Sequence, residues 1–328
     1  MSFYKKAFFF GFIVLLFYSL VACSPSIEPE ASNLNNNSTP LSDEPYIIGD
    51  TEGDWGFPSP YGFYPRGPGY LRMYFIFDTL VWKDVSGFVP ALAEQWEYDP
   101  DELSYTFLLQ EGVKWHDGEL FSADDVLFSI DYYREHPIAA ANLGPIENVE
   151  KIDQQTVKVF LKNPYAPFLN NIAGVVPIIP EHIWSEVAAP DQFTEPEALI
   201  GTGPYRLLDF RREQGRYHYQ AFSDYYAGSP TIEELLLVKV SDPQMALQRG
   251  DVHYAQVEPE AVNSLEEMGF TVELGPHDWC LKLMFNHGES PLNEKEFRQA
   301  LAFAIDLDEL VERTLRGHGL PGSPGLVS

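Results

Sequence analysis

Residues Ala91 to Arg134 constrain this chain more than any other stretch, because every local signal in them agrees. Ser104 to Leu109 alternates, with Tyr105, Phe107 and Leu109 on one side and Ser104, Thr106 and Leu108 on the other, which predicts a strand with one buried face. Glu111-Gly112 turns the chain, Val113-Lys114-Trp115 is a short extended piece, and His116-Asp117-Gly118 forms a second tight turn. Ser122 then caps a helix. Asp125 stands three residues on as its capping-box partner, and Asp124 adds a second acid to the positive first turn. Val126, Ile130 and Tyr133, with Leu127 beside them, supply the buried stripe of that helix.

In order, Leu92-Ala93-Glu94-x-Trp96, Tyr105-Thr106-Phe107, Gly112-Val113-Lys114-Trp115-His116-Asp117-Gly118 and the acidic helix start resemble the signature region of the extracellular solute-binding proteins, family 5. Gln110 departs from the basic residue usual there. The resemblance implies a binding subunit of an ABC importer, of the oligopeptide, dipeptide or nickel type. It also implies an α/β, periplasmic-binding-protein-like two-lobed fold with an inserted subdomain, working as a monomer without a cofactor. Read as chemistry, His116 and Asp117 form a catalytic or metal pair. Read as structure, they form a turn held by side-chain hydrogen bonds, and the resemblance favours the turn.

The same resemblance continues on either side. Tyr70 to Leu80 is expected to be a helix. Val149–Ile152 and Thr156–Leu161 should pair about the turn Asp153-Gln154-Gln155. Short helices are expected to start in Asn163–Leu169 and in Ile178–Trp184. No Lys or Arg occurs from Asn163 to Tyr205, where chelate-binding members often carry arginine, and this counts against a nickel-chelate ligand. Gly201-Thr202-Gly203-Pro204-Tyr205 lacks the third glycine of a dinucleotide loop and precedes a strand, not a helix. It matches instead the family motif at which the chain returns from the insert. Its glycines permit a sharp crossing and Pro204 stiffens it.

Leu235-Leu236-Leu237-Val238 is apolar on both faces, as in a strand covered on two sides. Helices are predicted over Asp242–Arg249 and Pro259–Met268, and strands over Thr271–Leu274 and Leu281–Asn286. Phe297, Ala300, Leu301, Ala304 and Ile305 recur at helical spacing, and Asp306 caps a further helix with Glu309 as partner. The expected organisation is a signal peptide at 1–22, a lipidated tether at 23–45, lobe I at 46–77 and 200–277, the insert at 78–199, and a truncated start of lobe II at 278–328.

The leader carries Lys5 and Lys6 before an apolar run, Ala7 to Tyr18, that is short for a membrane span. Leu20-Val21-Ala22-Cys23 resembles a bacterial lipobox, which would make Cys23 the lipid-bearing first residue of an extracytoplasmic protein anchored to the membrane. The alternative is a plain secretory signal with a chance cysteine. Ser24 to Pro45 is rich in Ser, Pro, Asn and Glu and is expected to be a flexible tether. Cys280 is then without a partner, so no disulfide is expected.

The candidate binding residues lie in a loop after the first strand, Tyr46–Asp50. That loop carries Trp55, Phe57, Tyr61, Phe63, Tyr64 and Tyr70 among glycines and prolines. Trp55, Tyr61 and Arg66 are expected to line the ligand cleft, with Arg66 able to meet a carboxylate. Packing of the rings onto the adjacent lobe is the other reading. No catalytic residue and no metal ligand is assigned, for the eight histidines include no two-His helical pair and no Gly-x-Ser-x-Gly elbow occurs. Forty-nine acids against 21 basic residues exclude a nucleic-acid partner. The expected function is capture of a small solute, a short peptide first and a metal chelate or oligosaccharide next, for delivery to an ABC permease. A surface interaction protein, a truncated binder without function and a carboxylate-based hydrolase remain as alternatives.

Overall fold

The computed structural model describes residues 44–273, 275 and 282–322. The leader, Cys23, nearly all of the tether, Leu274, Cys280 and Leu281 lie outside the described residues. Among those described, no helix is long and apolar enough to cross a membrane.

Strand β1, Tyr46–Asp50, opens the fold, and helix α1, Pro68–Tyr74, follows the aromatic loop. The hairpin β2, Val81–Asp84, and β3, Gly87–Pro90, leads into β4, Ala93–Asp99, and β5, Ser104–Leu109. Helix α2, Ala123–Glu135, precedes the antiparallel pair β6, Ile146–Lys151, and β7, Thr156–Leu161. Strands β4 to β7 make a four-stranded sheet in the order β4-β5-β7-β6. A single wide turn at Leu169–Ala173 and the short helix α3, Glu181–Trp184, complete this region.

The chain then returns through β8, Tyr205–Arg211, β9, Arg216–Ala221, and β10, Glu234–Lys239. Helix α4, Pro243–Arg249, strand β11, Tyr254–Ala255, and helix α5, Val262–Glu267, follow. The second sheet has the order β11-β1-β10-β9-β8, with β1 parallel to both β10 and β11. Strand β10 is therefore central. Its Leu235 and Leu237 enter the large core that runs continuously to Phe107 and Trp184, while Val238 packs with Ala246, Leu247, Val252 and Leu265 beneath α4 and α5. That two-sided cover explains the unbroken apolar run of β10.

The signature stretch folds as its sequence dictates. Tyr105, Phe107 and Leu109 are buried and Leu108 is exposed, but Ser104, expected on the Leu108 side, is buried too. Ser122 and Asp125 form the reciprocal capping box, with Asp124 in the first turn. Val126, Ile130 and Tyr133 are buried on α2, and Leu127 packs at the edge of the same core.

Three expectations need correction. The helix placed over Tyr70–Leu80 is Pro68–Tyr74 and stops sooner. Phe75 and Ile76 turn their carbonyls to the returning segment, where they accept from Tyr205 N and Gly203 N, both at 2.8 Å. Those bonds take the place of the helical ones that the Phe75 and Ile76 carbonyls would have accepted had the helix run on. The strands expected over Thr271–Leu274 and Leu281–Asn286 are absent at 271–273 and 282–286, which carry no ladder partner. An apolar run becomes a strand only where a neighbour accepts its backbone groups. Beyond them lie α6, Lys295–Ala304, and α7, Leu307–Leu315, neither of which buries a residue.

Candidate functional site

The loop after β1 leaves the C-terminal end of a parallel strand, the end at which α/β sheets place their ligands. Asp50 organises it. Its Oδ1 accepts from Glu52 N at 2.8 Å and Gly53 N at 3.3 Å. Its Oδ2 accepts from Trp55 Nε1 at 2.6 Å and Arg72 Nη2 at 2.5 Å. The Arg72 side chain is 3 % exposed and the Asp50 side chain 12 %, so this is a desolvated pair. Burial lowers the pKa of Arg72, and the Asp50 carboxylate opposes that shift. Arg72 also lies 5.9 Å from the Trp55 ring and 5.5 Å from the Tyr217 ring. The Tyr217 hydroxyl accepts from Trp55 N and donates to Gly56 O, both at 2.8 Å. The root of the loop is thus pinned to β1, α1 and β9 at once.

Nothing in the sequence marks Asp50, Arg72 and Tyr217 as one network. The usable signal is weak: a lone arginine on the otherwise apolar, aromatic α1.

Trp55 is 8 % exposed, its indole N–H bound to Asp50, and Arg66 lies 5.6 Å over its ring. Tyr61 is half-buried and turned toward α2 and α3. Its hydroxyl donates to His136 O at 2.5 Å, and its ring lies 5.9 Å from Trp184 and 6.0 Å from Tyr133. Burial raises the pKa of that hydroxyl. Arg66 is exposed and takes part in none of the ion pairs among the described residues. Trp55 and Arg66 therefore sit together, and Tyr61 sits apart from them against the insert. Chemically the pair offers a solvated guanidinium on an aromatic platform, a geometry that accepts a carboxylate in a two-pronged hydrogen bond.

His116 and Asp117 point to different partners. The His116 ring is buried, with Nε2 2.9 Å from Gly203 O and Nδ1 3.4 Å from Gly201 N. These partners require a neutral ring with the proton on Nε2. Burial lowers its pKa to about 4, against the pull of the Gly203 carbonyl. Asp117 accepts from Glu119 N at 3.2 Å and lies 2.8 Å from His182 Nε2. His116 holds the turn against the returning segment, and Asp117 ties it to α3. Among the described residues no group of three or more His, Cys, Asp or Glu could hold a metal ion.

Residues 87–328 match the profile of the bacterial extracellular solute-binding proteins, family 5 Middle. The chain is 29% identical over 269 residues to the dipeptide-binding protein of Escherichia coli K12, an alignment that covers 71% of this chain and 48% of that protein. It is 34% identical over 245 residues to di/tripeptide-binding protein 2 of Pseudomonas aeruginosa UCBPP-PA14, covering 66% of this chain and 46% of that one. The ABC transporter substrate binding protein CtaP of Listeria monocytogenes superposes with a TM-score of 0.67 at 26% identity, over 82% of this chain and 56% of its own. The chain spans about half the length of the relatives it matches.

Proposed function

The chain belongs to the bacterial extracellular solute-binding proteins, family 5, and from that premise we propose that it captures a short peptide for an ABC permease. The family is one of extracellular solute-binding proteins. One observation carries the choice of a peptide: an exposed guanidinium, Arg66, stands over the Trp55 ring beside the C-terminal end of β1. A free peptide always offers an α-carboxylate to such a group, and relatives named for dipeptides and tripeptides agree with it. In this reading Trp55 and Arg66 meet the peptide end. Tyr61 supports the loop from the insert and reaches the peptide only at its edge.

The protein works as a monomer, held to the membrane by lipid on Cys23. The tether raises its effective concentration at the permease. Two lobes close on the solute by a hinge motion.

The test is calorimetric titration of the protein purified from its own cells with free and C-terminally amidated dipeptides and tripeptides. Free peptides should bind at least about tenfold more tightly than amidated ones, and Arg66→Ala should remove that preference. No binding of any peptide would overturn the reading. Binding that is indifferent to amidation would remove Arg66 from the site.

A further inference from the structure

On the insert, α3 and the turns after it line a shallow, open groove of ≈ 590 Å³. Its floor is apolar and half-buried: Ile183, Val187 and Phe193. The floor is preformed, because Phe193 stands edge-on to the fully buried Trp184 at 5.1 Å. Its rim carries three exposed carboxylates, Glu186, Glu195 and Glu197. Glu195 accepts from Thr194 N at 3.0 Å, a contact that fixes the side chain without neutralising it.

Among the described residues no ion pair includes Glu186, Glu195 or Glu197. The one lining side chain that could carry a positive charge, His182, is engaged by Asp117 at 2.8 Å. No Lys or Arg occurs from Asn163 to Tyr205, a segment that contains Glu181, Glu186, Asp191, Glu195 and Glu197. The groove is therefore a shallow apolar surface under a negative field. Its charge repels a second copy of this chain, whose net charge is -28, and likewise an anionic lipid surface.

We infer that this groove docks a basic amphipathic segment of a partner protein. Apolar side chains of that segment enter the floor between Ile183, Val187 and Phe193, and its lysines or arginines meet Glu186, Glu195 and Glu197. The groove is lined by residues between His182 and Glu197, none of which the peptide-capture reading uses, so the inference does not depend on that reading. Charge matching there acts mainly on encounter rate and on discrimination between partners.

The probe is a fluorescein-labelled synthetic helix-forming peptide with leucines along one face and lysines along the other, followed by anisotropy on the full chain. Glu186→Gln/Glu195→Gln/Glu197→Gln should weaken it about tenfold and flatten the salt dependence between about 50 and about 300 mM. Glu94→Gln/Glu111→Gln/Glu135→Gln changes net charge equally at exposed positions outside the groove and should leave affinity within about twofold. Replacing the peptide leucines by serine should abolish binding. The inference is overturned if both triple variants weaken binding equally, if neither does, or if the serine peptide binds as well. It is also overturned if the groove carboxylates control self-association in sedimentation or capture of phosphatidylglycerol vesicles instead of peptide binding.

Discussion

The imidazole of His116 donates from Nε2 to Gly203 O and accepts at Nδ1 from Gly201 N, and the second of these bonds needs the ring neutral. Burial brings its pKa to about 4, below the ordinary 6.5. The unfolded chain therefore takes up this proton first as pH falls. The stability that the neutral ring provides is complete above pH 6.5 and is lost as pH drops toward 4. The loss amounts to at most about 3 kcal/mol. Urea unfolding at about pH 7 and about pH 4.5 should show that fall in the native protein and a smaller one in His116→Gln, which keeps a donor for Gly203 O but does not titrate. An equal fall in both would place the pH dependence elsewhere. The second residue-scale prediction concerns Asp50 and Arg72. Removing either charge leaves the other desolvated, so Arg72→Met should cost about 3–5 kcal/mol. Asp50→Asn/Arg72→Met should cost less than the two single changes summed, by at least about 1 kcal/mol in a double-mutant cycle. Strict additivity would mean that the pair does not act as a unit.

Among the elements, α2 was legible in full because its information is local: the cap, the acids and the buried stripe all lie within Ser122–Tyr133. Strand β7, Thr156–Leu161, appears as expected, and its partner β6 starts at Ile146, three residues before the expected Val149. The register there shifts between Ile146 and Asn148, an irregularity that alternation cannot reveal. Helix α1 was misplaced because its end is decided by the segment from Gly201 to Tyr205, more than a hundred residues away in sequence. At that crossing a Cβ on Gly201 would lie 1.9 Å from Ile76 O, a backbone atom that cannot step aside. Gly201→Ala should therefore lower stability by about 3 kcal/mol or more, read as a fall in Tm. A neutral result would mean that the two segments are not in contact.

Taken whole, the described residues leave the apolar sides of α6 and α7 uncovered. Phe303 is 91% exposed and Leu310 47%. Solvated apolar side chains contribute nothing to stability and attract apolar probes. Phe303→Ser/Leu310→Ser should reduce the fluorescence of an apolar dye bound to this chain while moving its stability by less than about 0.5 kcal/mol. A large loss of stability would show that the helices pack on something in solution.

The sequence by itself determined the α/β class, the signature stretch, the capped α2 and the family, since these rest on alternation, capping and motif order within short windows. It also brought Trp55, Tyr61 and Arg66 forward as a group. Only the tertiary structure separated them, setting Tyr61 against Trp184 and leaving Arg66 over Trp55 in solvent. It alone joined Asp50 to Arg72 and Tyr217, turned His116 and Asp117 to different partners, and ended α1 at Tyr74. The physical reason is common to all of these. A side chain's chemistry is written in its identity, but its solvation and its hydrogen-bond partner are set by residues distant in the chain that folding brings to it.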